Sequence, residues 1–406
     1  MIAWPRLPNW TPAVADQAAV AVTNLLMSVA VSRSGGIAAL GIFAVLNVTV
    51  LACLGFTRTL LLDPWLATRD QSGAHPFPVE LRTLVLVGAA TSAGAVGVAT
   101  ATISAEPAWR WVVVGTFIYI LQDTGRYAAF KADDASRALR SDATLLLAFM
   151  IIVAIALWTS RFELHVVLAA WVVGLTLALV PSRRAVFGVV RLRGALAWWH
   201  RHCRRLALPL LGDSFAFVVC TNITTYVLAT LGSHQDVGLV RVMTSLYSPV
   251  AIVFTGLNLW LVPMMAKQSI AESKAYRRKA GAALSVVAIL VTLTMTALGP
   301  WLAGTVFGRE AVPSRLGLAL GGLSIWFTAV ASPYLASIRV YGRYEPIMLV
   351  RMSSGVLSVT LLVFVTAFRS ADAYMAVMVA QNLAVFVMAR SLRNHGGTHV
   401  GRHRKS

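Results

Sequence analysis

Stretches of about twenty predominantly apolar residues recur along this chain, and nothing else in it constrains the fold as strongly. A bilayer core is crossed by roughly 20 residues of helix. On that measure twelve spans fall at residues 13–33, 36–61, 81–103, 107–130, 141–160, 164–182, 207–231, 236–266, 279–302, 314–337, 345–368 and 371–391. A backbone crossing lipid must satisfy its own amides and carbonyls, so such a chain folds as a bundle of helices. Composition agrees: 58% of the residues are hydrophobic and 13% are charged, too apolar for a soluble domain of 406 residues. The first span contains Asp16, Gln17 and Asn24, which makes it too long and too polar for a signal-peptide core, and it is expected to remain in the mature protein.

The basic residues fix an orientation. Lysine and arginine near helix ends are retained on the cytoplasmic side. With the N-terminus inside, 28 of the 35 basic residues fall on the inner side. Only Arg33, Arg110, Arg161, Arg241, Arg309, Arg315 and Arg369 fall outside. The split predicts an even number of spans and cytoplasmic termini. It also accounts for the net charge of +19 without a nucleic-acid partner, because the positive residues are divided among many short loops. The opening stretch, with Trp4 and Trp10, reads as an interfacial anchor. Residues 392–406 read as a disordered basic tail, with His395, His399 and His403 solvated.

The densest basic run, Arg183 to Leu206, carries seven arginines and two histidines between the sixth and seventh spans. It divides the chain into an N-terminal lobe (1–182), a cytoplasmic connector (183–206) and a C-terminal lobe (207–391). Gly188 and Gly194 interrupt it, so it does not read as one regular amphipathic helix. Trp198 and Trp199 among basic neighbours fit a segment lying near anionic headgroups.

The two lobes repeat each other. Asp16 matches Asp213, and Thr23-Asn24 matches Thr221-Asn222, at offsets of 197 and 198. Gly41 matches Gly238 at 197, and Pro64 matches Pro263 at 199. The offset corresponds to six spans, so both halves begin on the same side. This is a parallel repeat about an axis along the membrane normal, as in transporters.

Ionisable groups inside spans are costly and face a cavity or one another. Asp16, Arg58, Asp123, Arg126, Asp142 and Asp213 all fall in the cytoplasmic half, which predicts a polar vestibule open toward the inner leaflet. Asp123 and Arg126 share a helix face and either neutralise each other or part so that Arg126 grips an anionic headgroup. Arg58 is placed either to snorkel or to line the cavity. Asp142, after Ser141, reads as a helix cap. Asp16 and Asp213, each with a Thr-Asn deeper on its helix, are candidates to bind a coupling H+ or Na+. Asp133-Asp134 reads as a solvated loop rather than a metal site. Cys53, Cys203 and Cys220 show no CxxC spacing, so no metal or disulfide framework is implied and no cofactor is expected.

Several of these residues together resemble a known family. The first helix with Asp16-Gln17, Thr23-Asn24 and Arg33 before Gly35, Gly36 and Gly41 resembles the opening of polysaccharide flippases (Wzx-like) of the multidrug/oligosaccharidyl-lipid/polysaccharide (MOP) exporter superfamily. So does Gln122-Asp123-x-x-Arg126-Tyr127 followed by a basic loop and Asp142. Gly238, Arg241, Ser248-Pro249 and Pro263 look like that family's eighth helix. The resemblance implies an all-α, MATE-like fold of two six-helix bundles rocking between inward-open and outward-open states. Its usual cargo is an isoprenoid-pyrophosphate-linked oligosaccharide, with Arg58 and Arg126 as the cavity arginines beside Gln122 and Asp123. Asp16, Asn24, Asp213 and Asn222 would supply a coupling-ion or polar cavity. The implied partners are membrane lipids, an anionic lipid-linked glycan, H+ or Na+, and glycan polymerases or glycosyltransferases.

The leading expectation is a flippase moving a lipid-linked oligosaccharide or polysaccharide precursor to the outer leaflet, and not an enzyme. Arg126→Ala is expected to abolish transfer without disturbing insertion or folding. One alternative is a cation-coupled exporter of small amphiphiles with the same fold. Another is a membrane glycosyltransferase or polysaccharide polymerase, which needs a charged outer loop. The outer acids Glu106, Glu163, Asp236, Glu310 and Asp372 occur singly.

Overall fold

The computed structural model describes residues 10–67, 77–132, 134–266, 270–340, 344–365 and 370–394, which are helical almost throughout. Helix α1 (Trp10–Thr57) runs into a five-residue π-helical turn (Arg58–Leu62) and the short α2 (Asp63–Ala67). Then come α3 (Val79–Ile103), α4 (Arg110–Lys131), α5 (Ala135–Trp158) and α6 (Leu164–Ala178). Two short helices follow, α7 (Arg183–Val186) and α8 (Ala195–His202). The chain continues through α9 (Arg204–Leu231), α10 (His234–Ala266), α11 (Ile270–Val306), α12 (Arg315–Val340), α13 (Tyr344–Val365) and α14 (Ala371–Asn394). Among the described residues each of the twelve apolar stretches lies on helix, the first on α1 and the second on α1 and the π turn. The opening residues and the tail from 395 lie outside the described residues.

Seven helices among the described residues are long and apolar enough to cross a membrane by length and composition. Helix α4 is not one of them, because Gln122, Asp123 and Arg126 lower its hydropathy. Its polarity is the first structural sign that it carries something other than packing.

Although continuous, α1 is a hairpin. Gly36 has φ 77° and ψ −179°, a backbone conformation open to glycine and strained for other residues. Asp16 and Arg58, on opposite sides of Gly36, both bond to side chains one turn apart on α4. In a straight helix they would stand about 60 Å apart. The glycine turn therefore folds the two arms back together.

Contacts divide the chain into two units. The first holds residues up to Gly35 together with Val45–Ser214, and the second holds Gly36–Ala44 and the residues from Phe215 onward. The boundary thus falls past the basic connector, which packs with the first unit, and the tip of the α1 hairpin goes with the second. The core of the first unit near the π turn is built from Leu54, Leu61, Leu62, Trp65, Phe77, Leu81, Ile120 and Leu121. In the second unit α12 packs against α10, α11 and α14. Tyr247 donates to the Leu318 carbonyl (2.6 Å), and Asn382 donates to Ser324 (2.7 Å).

Within the second unit the repeat-matched glycines meet. A Cβ on Gly41 would run into the His234 carbonyl, and a Cβ on Gly238 would run into the Ile37 carbonyl. Ile37 and His234 are themselves 197 residues apart. Each glycine thus opposes the repeat mate of its partner's opposing residue, which is the reciprocal pattern a local two-fold produces.

Candidate functional site

Five of the six in-span charges converge in the first unit on the buried end of α4. Arg58 donates from Nε and Nη2 to the two Asp123 carboxylate oxygens (2.7 and 2.6 Å), a bidentate pair. Arg126, nearly inaccessible, lies among three carboxylates. Its Nη1 donates to Asp123 (3.2 Å), its Nη2 donates to Asp16 (2.5 Å), and its Nε is 3.0 Å from Asp142. Gln122 donates from Nε2 to Asp142 (2.6 Å) and Ser141 (3.0 Å), and Ser141 donates to the Ala178 carbonyl on α6 (2.8 Å). Side chains from α1, the π turn, α4 and α5 therefore meet in one network, with α6 attached through Ser141.

The local fold explains the convergence. Asp123 and Arg126 are three residues apart and share a face of α4, while the hairpin supplies Asp16 from one arm and Arg58 from the other. At the end of the second arm the Asp63 amide bonds to the Arg58 carbonyl, the five-residue step of a π turn. In an α-helix Arg58 and Asp63 would point about 140° apart. Here they share a side: Tyr127 donates to Asp63 (2.8 Å), and Arg58 lies 5.8 Å from the centre of the Tyr127 ring. Lys131 bonds to the Trp65 carbonyl (2.5 Å) and covers the Trp65 ring. Neither Asp63 nor Lys131 stands out in the sequence as part of a site, because the π turn that gathers them leaves no trace in a 3.6-residue pattern.

Several expectations change in detail. Asp142 is not a helix cap: α5 begins seven residues earlier, leaving Asp142 buried two turns inside it. The cap is Asp134, which accepts from the Arg137 amide (3.1 Å) and the Ser136 hydroxyl (2.6 Å). The Ser136 hydroxyl, followed by the Arg137 amide, holds the Asp134 carboxyl below its usual range. Asp16, Asp123, Arg126 and Asp142 do not line an open vestibule one by one; they are buried against each other. Arg58 is the member that reaches the surface, with 34% of its side chain exposed. Among the described residues its Nη1 has no hydrogen-bond partner.

The network does not extend to Asn24, which is exposed. The side chains of Asp213 and Asn222 lie outside the described residues. The isolated outer acids serve local ends: Asp236 exchanges hydrogen bonds with Ser233 at the start of α10, and Asp372 accepts from Ser314. Among the described residues no group of His, Cys, Asp or Glu is placed to hold a metal ion.

Chemically, the network sets three carboxylates against two guanidiniums. Asp16 Oδ1 and Gln122 Oε1 are buried without hydrogen-bond partners among the described residues. Such a cluster is one proton or one monovalent cation short of neutrality, and it exposes one arginine edge.

No family profile matches this sequence, and no curated protein does. Solved structures do. A multidrug resistance MATE family transporter of the MOP superfamily, in its inward-facing conformation, superposes with a TM-score of 0.64 over 97% of this chain and 96% of its own, at 14% identity. The outward-facing conformation of such a transporter gives 0.62 at 14% identity, covering 95% of this chain and 94% of its own. A MOP superfamily transporter from Pyrococcus furiosus, whose binding pocket is described as reversed in polarity, gives 0.63 at 15% identity, covering 95% and 94%. The fold is that of MATE transporters of the MOP superfamily, spread over nearly the whole chain.

Proposed function

We propose that this chain is an alternating-access membrane transporter of the MOP type. Its cargo is an amphiphile with an anionic head, a lipid-linked oligosaccharide or polysaccharide precursor moved from the inner to the outer leaflet. The observation that supports this reading is Arg58. Its two-point grip on Asp123 orients the guanidinium, Tyr127 backs it, and the side chain is 34% exposed. A guanidinium held in this way offers a phosphate oxygen a charged, directional donor without a reorganisation cost. A cargo shifts such a transporter between states only through differential affinity, and a half-exposed arginine tied to a buried network can change its exposure between states.

The sequence points to Arg126 for this test, but its substitution would strip three buried carboxylates of their partner; Arg58 touches only Asp123 among them. Arg58→Gln should lower thermal stability by leaving Asp123 underpaired and, per inserted and folded molecule, should cut flipping of a pyrophosphate-linked lipid in reconstituted vesicles by about tenfold or more, the scale of one charge-assisted contact. Arg58→Lys, which keeps the charge but not the two-point geometry, should recover the stability more than the flipping. Undiminished flipping would remove Arg58 from cargo binding.

A second reading, a cation-coupled exporter of small amphiphiles, is favoured by the extra carboxylate. Asp16, Asp123 and Asp142 outnumber Arg58 and Arg126, so the network balances with one bound H+ or Na+. The two readings separate on cargo. Depletion that traps a lipid-linked glycan in the inner leaflet supports the first, and drug sensitivity without such build-up supports the second.

A further inference from the structure

We infer that the connector from Phe187 to Leu206 is an in-plane seat for anionic phospholipid headgroups, held rigidly on the first unit. Its inner side is tied down at three points. Trp199 donates from Nε1 to the Leu60 carbonyl inside the π turn (2.8 Å), the Arg191 amide donates to the Thr83 hydroxyl (2.8 Å), and Arg82 donates to the Val189 carbonyl (3.3 Å). Ala195 and Cys203 are buried against the unit, and Trp198 and Trp199 pack on its core. The segment is therefore a docked surface rather than a loose link.

Its outer side joins two properties that water does not accommodate together. Leu192, Leu196 and Val189 are 73%, 68% and 66% exposed, with Phe187 and Val190 also outward. Arg191, Arg193, Arg201, Arg204 and Arg205 are exposed among them. No aspartate or glutamate occurs anywhere from Glu163 to Asp213 to compensate these charges. The last turn of α8 adds His200, Arg201 and His202. Exposed apolar side chains interleaved with arginine match the acyl and headgroup layers of an anionic leaflet. A nucleic acid would satisfy the arginines and leave Leu192 and Leu196 in water.

The test uses the full chain in nanodiscs of phosphatidylcholine containing phosphatidylglycerol, with the lipid retained after extraction counted by native mass spectrometry. The parent should retain phosphatidylglycerol in preference to phosphatidylcholine. The variant R191Q/R193Q/R201Q/R204Q/R205Q should lose that preference by about tenfold or more. Equal retention by parent and variant overturns the inference. So does displacement of the lipid by millimolar inorganic phosphate, which would mark a simple ion site, or tighter binding of an RNA oligonucleotide. A second measurement leaves every arginine in place. Leu196→Cys carrying a bimane label, corrected for labelling of the parent, should be quenched more strongly by brominated phosphatidylglycerol than by brominated phosphatidylcholine. Equal quenching by the two lipids also overturns the inference.

Discussion

Arg126 is the residue on which the first unit turns. Arginine stays charged at any accessible pH, so it offers three buried carboxylates a fixed positive partner. Breaking a buried ion cluster by removing one partner leaves uncompensated charge and costs about 3–5 kcal/mol. Arg126→Ala should therefore unfold at a clearly lower temperature in detergent, contrary to the expectation from the sequence that folding would be spared. Adding Asp16→Asn and Asp142→Asn to Arg126→Ala should recover much of that loss, as a thermal-shift cycle would show. The members of this site were legible in the sequence, because Asp16, Arg58, Gln122, Asp123, Arg126 and Asp142 are the polar exceptions in apolar helices. Their pairing was not legible. A three-residue spacing reveals that Asp123 can meet Arg126, but only the tertiary fold shows that Arg58 takes both oxygens of Asp123. Asp123 so engaged still accepts from Arg126, whose other two nitrogens reach Asp16 and Asp142.

At the level of elements, glycine and the π turn do the positioning. Gly36 folds α1 into a hairpin, and the extra residue in the Arg58–Leu62 turn rotates Asp63 toward Tyr127. The crossing of Gly41 with Gly238 brings two helices to backbone contact. Filling either position with Ala pushes a methyl into a carbonyl, an overpacking cost of about 1–3 kcal/mol. Gly41→Ala and Gly238→Ala should each lower the midpoint of thermal unfolding. The double variant should lose less than the sum of the two, because one separation of the helices relieves both clashes. Gly94→Ala on α3, where a Cβ meets nothing within 4 Å, should leave the midpoint unchanged or slightly raised. The sequence marked Gly41 and Gly238 as mates in a repeat through their spacing alone. That the mates face each other could not be seen there, since an offset carries no information about contact.

For the whole molecule, the apolar stretches of the sequence fall on the long helices among the described residues, because hydropathy over twenty residues is imposed by the bilayer and not by neighbouring helices. The contact units were less legible. The connector reads in the sequence as a basic cytoplasmic link between two lobes, since basic residues and glycines interrupt the apolar pattern. Its attachment to the first unit depends on hydrogen bonds from Trp199 and the Arg191 amide that no local pattern announces.

The buried network also sets a timetable for synthesis. Asp16 leaves the ribosome 110 residues before Arg126, roughly 5–20 s at ordinary elongation rates. Asp16 waits through all of that interval, and from the emergence of Arg58 the newborn hairpin holds a carboxylate and a guanidinium in or near lipid with their partners on α4 still unmade. A chain stopped after residue 106 should be cleared rapidly in a pulse-chase experiment, whereas one stopped after residue 182, with α4 and α5 in place, should persist. Asp16→Asn/Arg58→Gln should lengthen the life of the shorter chain. The dividing line expected between cleared and persisting chains is the arrival of α4, which carries the partners of both arms.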